Sequence, residues 1–342
     1  MLAGEHANSS LHQAFAAVIG FLVRRAAHAV LVLAVVSVIA FGLSNVIGDP
    51  VASILGLNAT PSDQEALRAR LHLTDPLPLR YLRFVAGAVQ GEFGTSYTAQ
   101  RPVSVVVRER LPATLELSFA ALLLSVGLGV PLGMAAAVRP HSRLARLLMA
   151  LSVIGVAVPS FVFAILAITL FSVTLGWLPS FGRGEVVLLG WWSTGLLTAS
   201  GRAALVLPAI SLAAGQIALV ARLVRAEMVE VLRADFIRFA RARGLPARLV
   251  TFSHALRNTL VPIITVSGIQ LGYLVAFGVV VEQVFQWPGL GLLLIQALGS
   301  ADVPLISAFL MLAATLFVAI NLAVDLLYAA VDPRLRHGMR RA

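Results

Sequence analysis

The sequence predicts an all-α integral membrane protein with six transmembrane helices, and three observations support this fold class. First, 59% of the 342 residues are hydrophobic and only 12% are charged, whereas soluble domains average about 25% charged residues. Second, apolar runs long enough to cross a bilayer core of about 30 Å recur along the chain. Third, the segments between these runs alternate between arginine-rich and nearly neutral, which is typical of a multi-span protein whose basic loops face the cytoplasm.

The expected spans cover residues 26–47, 115–138, 147–178, 203–220, 259–281 and 303–330. Together they form a transmembrane domain, 24–331, and the distribution of basic residues predicts that both chain termini are cytoplasmic. The other segments are a cytoplasmic N-terminal segment 1–23, an external segment 48–112, a cytoplasmic loop 221–258 and a cytoplasmic tail 332–342.

The first span follows Arg24 and Arg25, which favour a cytoplasmic N-terminus. A cleaved signal peptide is the alternative interpretation. The apolar run exceeds the length of about 7–15 residues that is typical of a signal peptide, and no A-x-A cleavage site follows it closely, so a retained span is favoured. Residues 1–23 are expected to be weakly structured, with a turn or two at the membrane surface over 15–23.

The external segment 48–112 contains seven arginines and six acidic residues. This near-neutral balance suits the outer side of a membrane, where loops lack the cytoplasmic basic excess. A turn is expected at 94–97 and a short helix over 65–71. The segment is therefore predicted to form a small external cap of helices and turns.

Three acidic residues lie near the ends of spans. Glu116 and Glu282 flank the outer ends of theirs, and we expect them to pair with Arg110 or another external arginine, or to line the external mouth. Asp325 lies near the cytoplasmic end of the sixth span. Intramembrane acids are proton relays, substrate contacts or members of ion pairs, and here pairing with an arginine of the loop 221–258 is favoured.

Two apolar runs depart from a simple span. The run 147–178 is long enough to tilt or kink, and Pro159 is the predicted kink. The run 186–200 is shorter than the roughly 20 residues that a span needs, and its Trp191 and Trp192 suit the membrane interface. It is predicted to be external or half-inserted. A full span there would move the arginine-rich loop to the outer side, against the charge rule.

The stretch 235–262 carries five arginines, namely Arg238, Arg241, Arg243, Arg248 and Arg257. Each would cost about 2.5–3.5 kcal/mol at the centre of a bilayer, so the stretch must lie outside the lipid, on the cytoplasmic side. Its pattern predicts a helix over about 227–243 that ends at Gly244 and Pro246, followed by a second helix that begins near 247 and continues into the fifth span.

Apolar residues are mixed among these charges, namely Phe236, Ile237, Phe239, Ala240 and Leu245. On a helix, Asp235 can pair with Arg238 three positions later, and a solvated charged helix is one interpretation of the stretch. Two small residues and a glycine, at Ala240, Ala242 and Gly244, permit close backbone approach and a sharp turn. A solvated helix has no need of them, so the pattern favours a surface that docks against another protein.

His254 and Asn258 share one face of the second helix, with Arg257 alongside. Metal binding is one interpretation, but two candidate ligands with no third nearby make a weak metal site. Packing or hydrogen bonding near the membrane surface is favoured instead. Nor does any histidine accompany a G-x-S-x-G turn of the serine hydrolase type.

The composition excludes several functions. All 26 basic residues are arginine and there is no cysteine, so a P-loop lysine, a Schiff-base lysine and a cysteine nucleophile or metal site are all impossible. If the protein uses ATP, another chain must hydrolyse it. The net charge is +10. The basic residues lie between apolar runs, and this distribution fits the loops of a membrane protein better than a nucleic-acid-binding surface.

The sequence Asp-Phe-Ile-Arg-x-Ala-Arg-Ala-x-Gly-Leu at 235–245, followed by His254-Ala-Leu-Arg-Asn258 and Pro262, resembles the coupling loop of ATP-binding-cassette (ABC) importer permeases of the B type, which serve peptide and nickel importers. Further motifs of the family follow in order between Phe21 and Arg336: Phe21-Leu-Val-Arg-Arg25, Gly48-Asp-Pro-Val51, Gly91-Glu-Phe-Gly-Thr-Ser-Tyr97, Arg101-Pro-Val103, Arg110-Leu-Pro-Ala-Thr-Leu-Glu116, Pro159-Ser-Phe161, Gly176-Trp-Leu-Pro179, Glu282-x-x-Phe285, Pro288-Gly-Leu-Gly291 and Ala330-Val-Asp-Pro-Arg334.

The resemblance implies a type I importer-like fold in which Ala240–Gly244 form a coupling helix that sits in a cleft of a cytoplasmic ATPase. The residues expected to couple to the ATPase are Asp235, Arg238, Ala240, Arg241, Ala242, Arg243, Gly244, Leu245, His254, Arg257, Asn258 and Pro262. Arg243 stands where the family usually has lysine, which matches the absence of lysine from the whole chain.

The resemblance also implies the partners: a second homologous permease, two cytoplasmic ATP-binding subunits, an extracytoplasmic solute-binding protein and membrane lipid, with no nucleic acid. No cofactor is expected in this chain, because ATP and magnesium would be bound by the ATPase subunits. The implied activity is uptake of peptides across a bacterial cell membrane; nickel, glutathione, haem or another small solute are alternatives.

A secondary transporter or channel is the rival from a different class. It predicts charged residues near span centres and interrupted helices in related halves. The first, third and fifth spans lack such charges, and this rival leaves the arginine-rich loop unexplained. A membrane-embedded enzyme is a third interpretation, and no reactive constellation supports it.

Overall fold

The computed structural model describes residues 2–46, 60–70 and 73–331, together with Val51 and Leu55. The predicted cytoplasmic tail, 332–342, lies outside the described residues. Within them, regular structure is helical except for one two-stranded sheet.

The helices, numbered in chain order, are α1 (Leu2–Val46), α2 (Pro61–Arg70), α3 (Leu77–Gln90), α4 (Val103–Val138), α5 (Arg143–Ala157), α6 (Ser160–Ala167), α7 (Ala199–Val231), α8 (Asp235–Ala242), α9 (Ala247–Phe277), α10 (Val279–Val284), α11 (Leu290–Gly299) and α12 (Val303–Val331). The strands are β1 (Val187–Leu189) and β2 (Trp192–Thr194). Two helical segments have wider, π-helical turns: α6 continues through Ile168–Thr174, and α9 contains Val250–Leu256.

Five described helices are long and apolar enough to cross a membrane, over Val23–Leu43, Val103–Val138, Ala199–Val231, Ala247–Phe277 and Val303–Leu327. A sixth crossing results if α5 and α6 are one broken span, with a bend of 105° between them. The bend falls at Pro159, the predicted kink. Val158 before it is extended, because proline disfavours a helical conformation in the preceding residue and donates no backbone hydrogen bond.

Several helices extend beyond the predicted spans. α1 begins at Leu2, inside the segment 1–23 that was expected to be weakly structured. α4 begins at Val103 rather than near 115, and α7 continues past 220 to Val231. The reason is that hydropathy marks only the part of a helix that crosses lipid, whereas the backbone hydrogen bonds continue into the polar flanks.

Within the run 186–200, residues 187–194 form a β-hairpin, and Ala199 and Ser200 already belong to α7. β1 and β2 pair antiparallel, with Val187 opposite Thr194. Gly190 adopts φ +65° in the two-residue turn, the left-handed conformation that tight hairpins require. The segment is therefore not a full membrane-spanning helix, as its length predicted.

The core is centred on α4 and α7, which share the most extensive helix contact in the described chain. Gly133 of α4 permits this approach: a Cβ atom there would lie 2.6 Å from the carbonyl oxygen of Ala221 and 2.7 Å from Cβ of Val224. Such distances leave no room for a side chain. The two helices therefore form one closely packed unit, to which the arginine-rich loop is attached.

The two acids at the outer ends of spans find different partners. Glu116 forms a buried ion pair with Arg183, whose Nη2 lies 2.6 Å from Oε2; the same guanidinium donates to the carbonyl oxygen of Ser193 in the hairpin. Arg183, rather than Arg110, is thus the external arginine that pairs with Glu116. Buried charges are tolerated when they are paired and hydrogen-bonded in this way.

Glu282 is buried, and among the described residues no arginine forms a salt bridge with it, so the expected ion pair is not present there. It accepts hydrogen bonds from the Thr114 hydroxyl at 2.7 Å and from the backbone N–H groups of Gly291 at 2.7 Å and Leu292 at 3.0 Å. These N–H groups belong to the first turn of α11, where helical N–H groups have no partner within the helix. The Glu282 carboxyl group therefore caps the N-terminus of α11, and these hydrogen bonds stabilise it in its buried position.

Two further acids join distant parts of the chain. Asp302, fully buried, accepts hydrogen bonds from the hydroxyl groups of Ser96 and Thr98 at 2.6 and 2.8 Å. Asp325 pairs with Arg25 of α1, so the predicted partner, an arginine of the cytoplasmic loop, is wrong. The reason is that α12 packs along α1, and this neighbour relation cannot be read from the sequence.

Candidate partner-docking site

The stretch 227–243 was predicted to be one continuous helix, but the structure divides it into the end of α7 and a separate helix, α8. α7 ends at Val231, a turn follows, and Ala234 is extended (φ −64°, ψ 150°) before α8 begins at Asp235. Asp235 lies in the first turn of α8, where a negative charge interacts favourably with the helix dipole. The break reorients α8 relative to α7.

One face of α8 is buried. Ile237 is fully buried and Ala240 is 7% exposed, and both pack in a hydrophobic cluster with residues of α4, α7 and α9. The cluster members on these three helices are Met134, Ala137, Val220, Val224, Met228, Val250, Ala255 and Ile263. Leu245, after the helix, packs against the same cluster. α8 is therefore fixed to the ends of three spans at once.

The opposite face of α8 presents aromatic and charged side chains to the outside. Phe236 is 47% exposed and Phe239 is 65% exposed, and the guanidinium of Arg243 lies 5.6 Å from the centre of the Phe239 ring. Asp235 and Arg238 form an exposed ion pair at 3.5 Å, which contributes little to stability. Exposed aromatic rings beside an arginine are typical of the centre of a protein–protein interface.

Gly244 ends α8 in a left-handed conformation, with φ +77°. Its N–H donates to the carbonyl of Arg241 at 2.9 Å, and the N–H of Leu245 donates to the carbonyl of Ala240 at 3.3 Å. These two bonds define a Schellman motif, in which glycine is the usual left-handed residue. The prediction that one helix ends at Gly244 and another begins near 247 is confirmed.

The remaining predicted residues lie on the second helix of the loop, not on the exposed face of α8. His254 belongs to the π-helical stretch, and its carbonyl oxygen accepts a hydrogen bond from the Asn258 side-chain amide at 2.6 Å. Arg257 is exposed and Pro262 lies inside α9. Across the described part of the chain, no group of three or more potential ligands could hold a metal ion.

The twelve predicted residues thus divide between two locations. Asp235 to Leu245 form or end α8, with Arg238, Arg241, Ala242 and Arg243 exposed and Ala240 buried. The sequence did not identify the residues on which α8 rests, such as Met134, Val224 and Met228. These are apolar residues within long apolar helices, and only their shared cluster distinguishes them.

A multi-span helical protein whose membrane helices end on an exposed amphipathic helix has the architecture of an ABC importer permease. The fold comparison agrees. The structure superposes on a chain of the MetNI methionine ABC transporter in an inward-facing conformation with a TM-score of 0.52 at 22% sequence identity, covering 64% of this chain and 93% of that one. At this identity the similarity concerns the fold.

Sequence comparison identifies the family. Residues 129–337 match the family described as binding-protein-dependent transport system inner membrane component, and residues 18–118 match the N-terminal family of the same membrane components. The chain belongs to this family of ABC importer permeases. It is accordingly a membrane permease subunit that works with other components of an ABC transporter.

Curated relatives cover nearly the whole chain. One is a putative peptide transport system permease protein of Brucella abortus, 39% identical over 319 residues, or 92% of this chain and 98% of the relative. Another is the glutathione transport system permease protein GsiC of Escherichia coli (strain K12), 36% identical over 320 residues, or 93% of this chain and 99% of the relative.

Proposed function

We propose that this chain is one of two membrane subunits of an ATP-driven importer and that α8 is the helix through which cytoplasmic ATPases act on it. One observation carries the proposal. The two faces of α8 are chemically distinct: Phe236 and Phe239 are exposed, while Ile237 and Ala240 are buried against three spans. A helix with this arrangement can bind a partner on one side and displace membrane helices on the other.

The mechanism follows from the packing. Because closely packed elements shift as rigid bodies between discrete arrangements, a displacement of α8 moves the ends of α4, α7 and α9 together. Approach of two ATPases on nucleotide binding would then drive the spans from inward-open to outward-open. This chain has no lysine, so we assign ATP and magnesium to the partner subunits and no catalysis to this one.

We further propose that the substrate is a small peptide, since relatives are named for peptide and glutathione transport. The path would form between this chain and a second, homologous permease, in a bacterial cell membrane with both termini cytoplasmic. A solute-binding protein would deliver the peptide to the external side, to which we assign the segment containing α2 and α3 and the hairpin of β1 and β2.

The test is purification of this chain from its native membrane in mild detergent, with mass spectrometry of the proteins that accompany it. We expect two P-loop ATPases, or two copies of one, and a second permease. ATP-dependent uptake of peptide by the reconstituted assembly would complete the assignment. A chain that purifies alone and moves solute without ATP would overturn it in favour of a secondary transporter.

A further inference from the structure

A cavity of about 590 Å³ opens next to the turn that follows α8. One wall consists of Pro131, Ala135 and Val138 of α4, and the opposite wall includes Phe252 of α9. These walls are apolar, so water inside the cavity would gain few hydrogen bonds. The cavity is separate from the exposed face of α8, because none of the described residues that line it belongs to α8.

The cavity lies where a membrane span ends. The apolar run of α4 finishes at Val138, and the next residue, Arg139, lines the cavity mouth. Between Pro131 and Val138 the wall runs along two turns of helix, about 10 Å. The cavity therefore extends from the polar surface into the depth at which lipid acyl chains begin.

Among the described residues that line the mouth, two carry a positive charge and none is acidic. Arg139 at the end of α4 and Arg248 at the start of α9 both line it, and both are exposed. Within the described residues, no acidic side chain forms an ion pair with either arginine. Two guanidinium groups above an apolar slot complement a phosphate, which arginine binds with two parallel hydrogen bonds.

We propose that this cavity binds an anionic glycerophospholipid, with an acyl chain along α4 and the headgroup phosphate between Arg139 and Arg248. A free phosphate ion would leave the apolar walls unused. A zwitterionic lipid such as phosphatidylcholine would bring the cation of its headgroup close to the two arginines, and this repulsion would offset part of the attraction to its phosphate. This inference goes beyond the proposed function, because it holds for any protein whose α4 and α9 end at the membrane surface. It places the lipid beside the turn at Gly244, where it fills the gap between α4 and the second helix of the loop.

The experiment is native mass spectrometry of the full chain, purified in detergent with the subunits that accompany it. The protein is titrated with phosphatidylglycerol and, separately, with phosphatidylcholine. We expect phosphatidylglycerol to bind more tightly and the double variant Arg139→Gln/Arg248→Gln to lose roughly thirtyfold in affinity for it.

A matched control distinguishes the cavity from general positive charge. Arg143→Gln/Arg146→Gln removes two neighbouring charges on α5 that do not line the cavity, and it should leave phosphatidylglycerol binding unchanged. Ala135→Trp should block the slot while both arginines remain. Equal affinity for the two lipids, equal loss in the two double variants, or unchanged binding in Ala135→Trp would each overturn the proposal. None of these outcomes depends on ATPase docking or peptide uptake.

Discussion

The need for glycine at position 244 comes from its backbone conformation and not from a lack of space around it. A Cβ atom built at this position meets no atom within 4 Å, so there is space for a larger residue. The restriction lies in the backbone, because φ +77° is unfavourable for residues with a Cβ and most unfavourable for β-branched ones. The position therefore tests the conformation of the turn without a steric effect on its neighbours.

We expect Gly244→Val to strain this turn by about 1–3 kcal/mol and to misplace α8, so that the protein still inserts in the membrane but peptide uptake falls well below that of the wild type. Gly244→Asn is the matched control, because asparagine tolerates the left-handed conformation. Uptake and ATP hydrolysis by the reconstituted complex are the measurements. Equal uptake by the two variants would show that the turn conformation is not needed for coupling.

Residue-level features were predictable where their cause is local. Gly244 and the pairing of Asp235 with Arg238 follow from turn chemistry and helical spacing within a few positions. The pairing of Glu116 with Arg183 was only partly predictable, since the sequence implies an external arginine but does not identify it. Asp325 was assigned the wrong partner because the pairing depends on which helices are neighbours.

α8 illustrates how an element of eight residues can have two separate tasks. Its buried side chains hold it to the bundle, and its exposed side chains remain available to a partner. The existence of a helix and its stop at Gly244 were predicted correctly. The break before Asp235 was missed because the residues at 232–234 include neither glycine nor proline, so no local signal marks the end of α7.

Substitutions on the two faces of α8 should have opposite signatures. Phe236→Ala/Phe239→Ala removes exposed rings, so we expect the free energy of unfolding of the permease to change by only about 0.5 kcal/mol or less for each residue. The same double variant should lose its ATPase subunits during purification. Ile237→Ala removes a fully buried side chain and should destabilise the fold by about 2–5 kcal/mol. Retention of the ATPases by the double phenylalanine variant would contradict a docking role for this face.

The hairpin of β1 and β2 marks a different limit of prediction at the element scale. The length of the run 186–200 was sufficient to exclude a full span, since it is shorter than a bilayer requires. The length of the run could not predict strands, because the periodicity of a short apolar run does not distinguish a strand from a buried helical segment. The decisive signals are Gly190 in the turn and the anchoring of the hairpin through Arg183.

In the molecule as a whole, the first and last helices are joined. α1 packs along α12, and the ion pair of Arg25 with Asp325 connects them. The fold class was predictable because hydropathy and charge distribution follow from the bilayer itself. The candidate site was predictable because family motifs mark it. The arrangement of helices around α4 and α7 was not, since long apolar helices look alike in sequence.

A charge exchange tests this connection. Arg25→Asp places two acids side by side, and like charges at this distance repel. We expect it to reduce the fraction of protein that elutes as a single species in size-exclusion chromatography, and Arg25→Asp/Asp325→Arg to restore most of that fraction. Arg24→Asp is the matched control for charge at the membrane surface. If the double variant behaves no better than Arg25→Asp, the pair does not join the two helices.

The polar contacts that close the structure have a consequence for its biosynthesis. Hydrogen bonds connect Thr114 with Glu282, Ser96 with Asp302 and Arg25 with Asp325, residues that are 168, 206 and 300 positions apart in the chain. In each pair the acid emerges from the ribosome long after its partner has been inserted. A chain truncated before Asp302 would lack both Asp302 and Asp325, and with them two of these three contacts. We therefore expect shortened chains that end before Asp302 to be less stable in the membrane than the full chain.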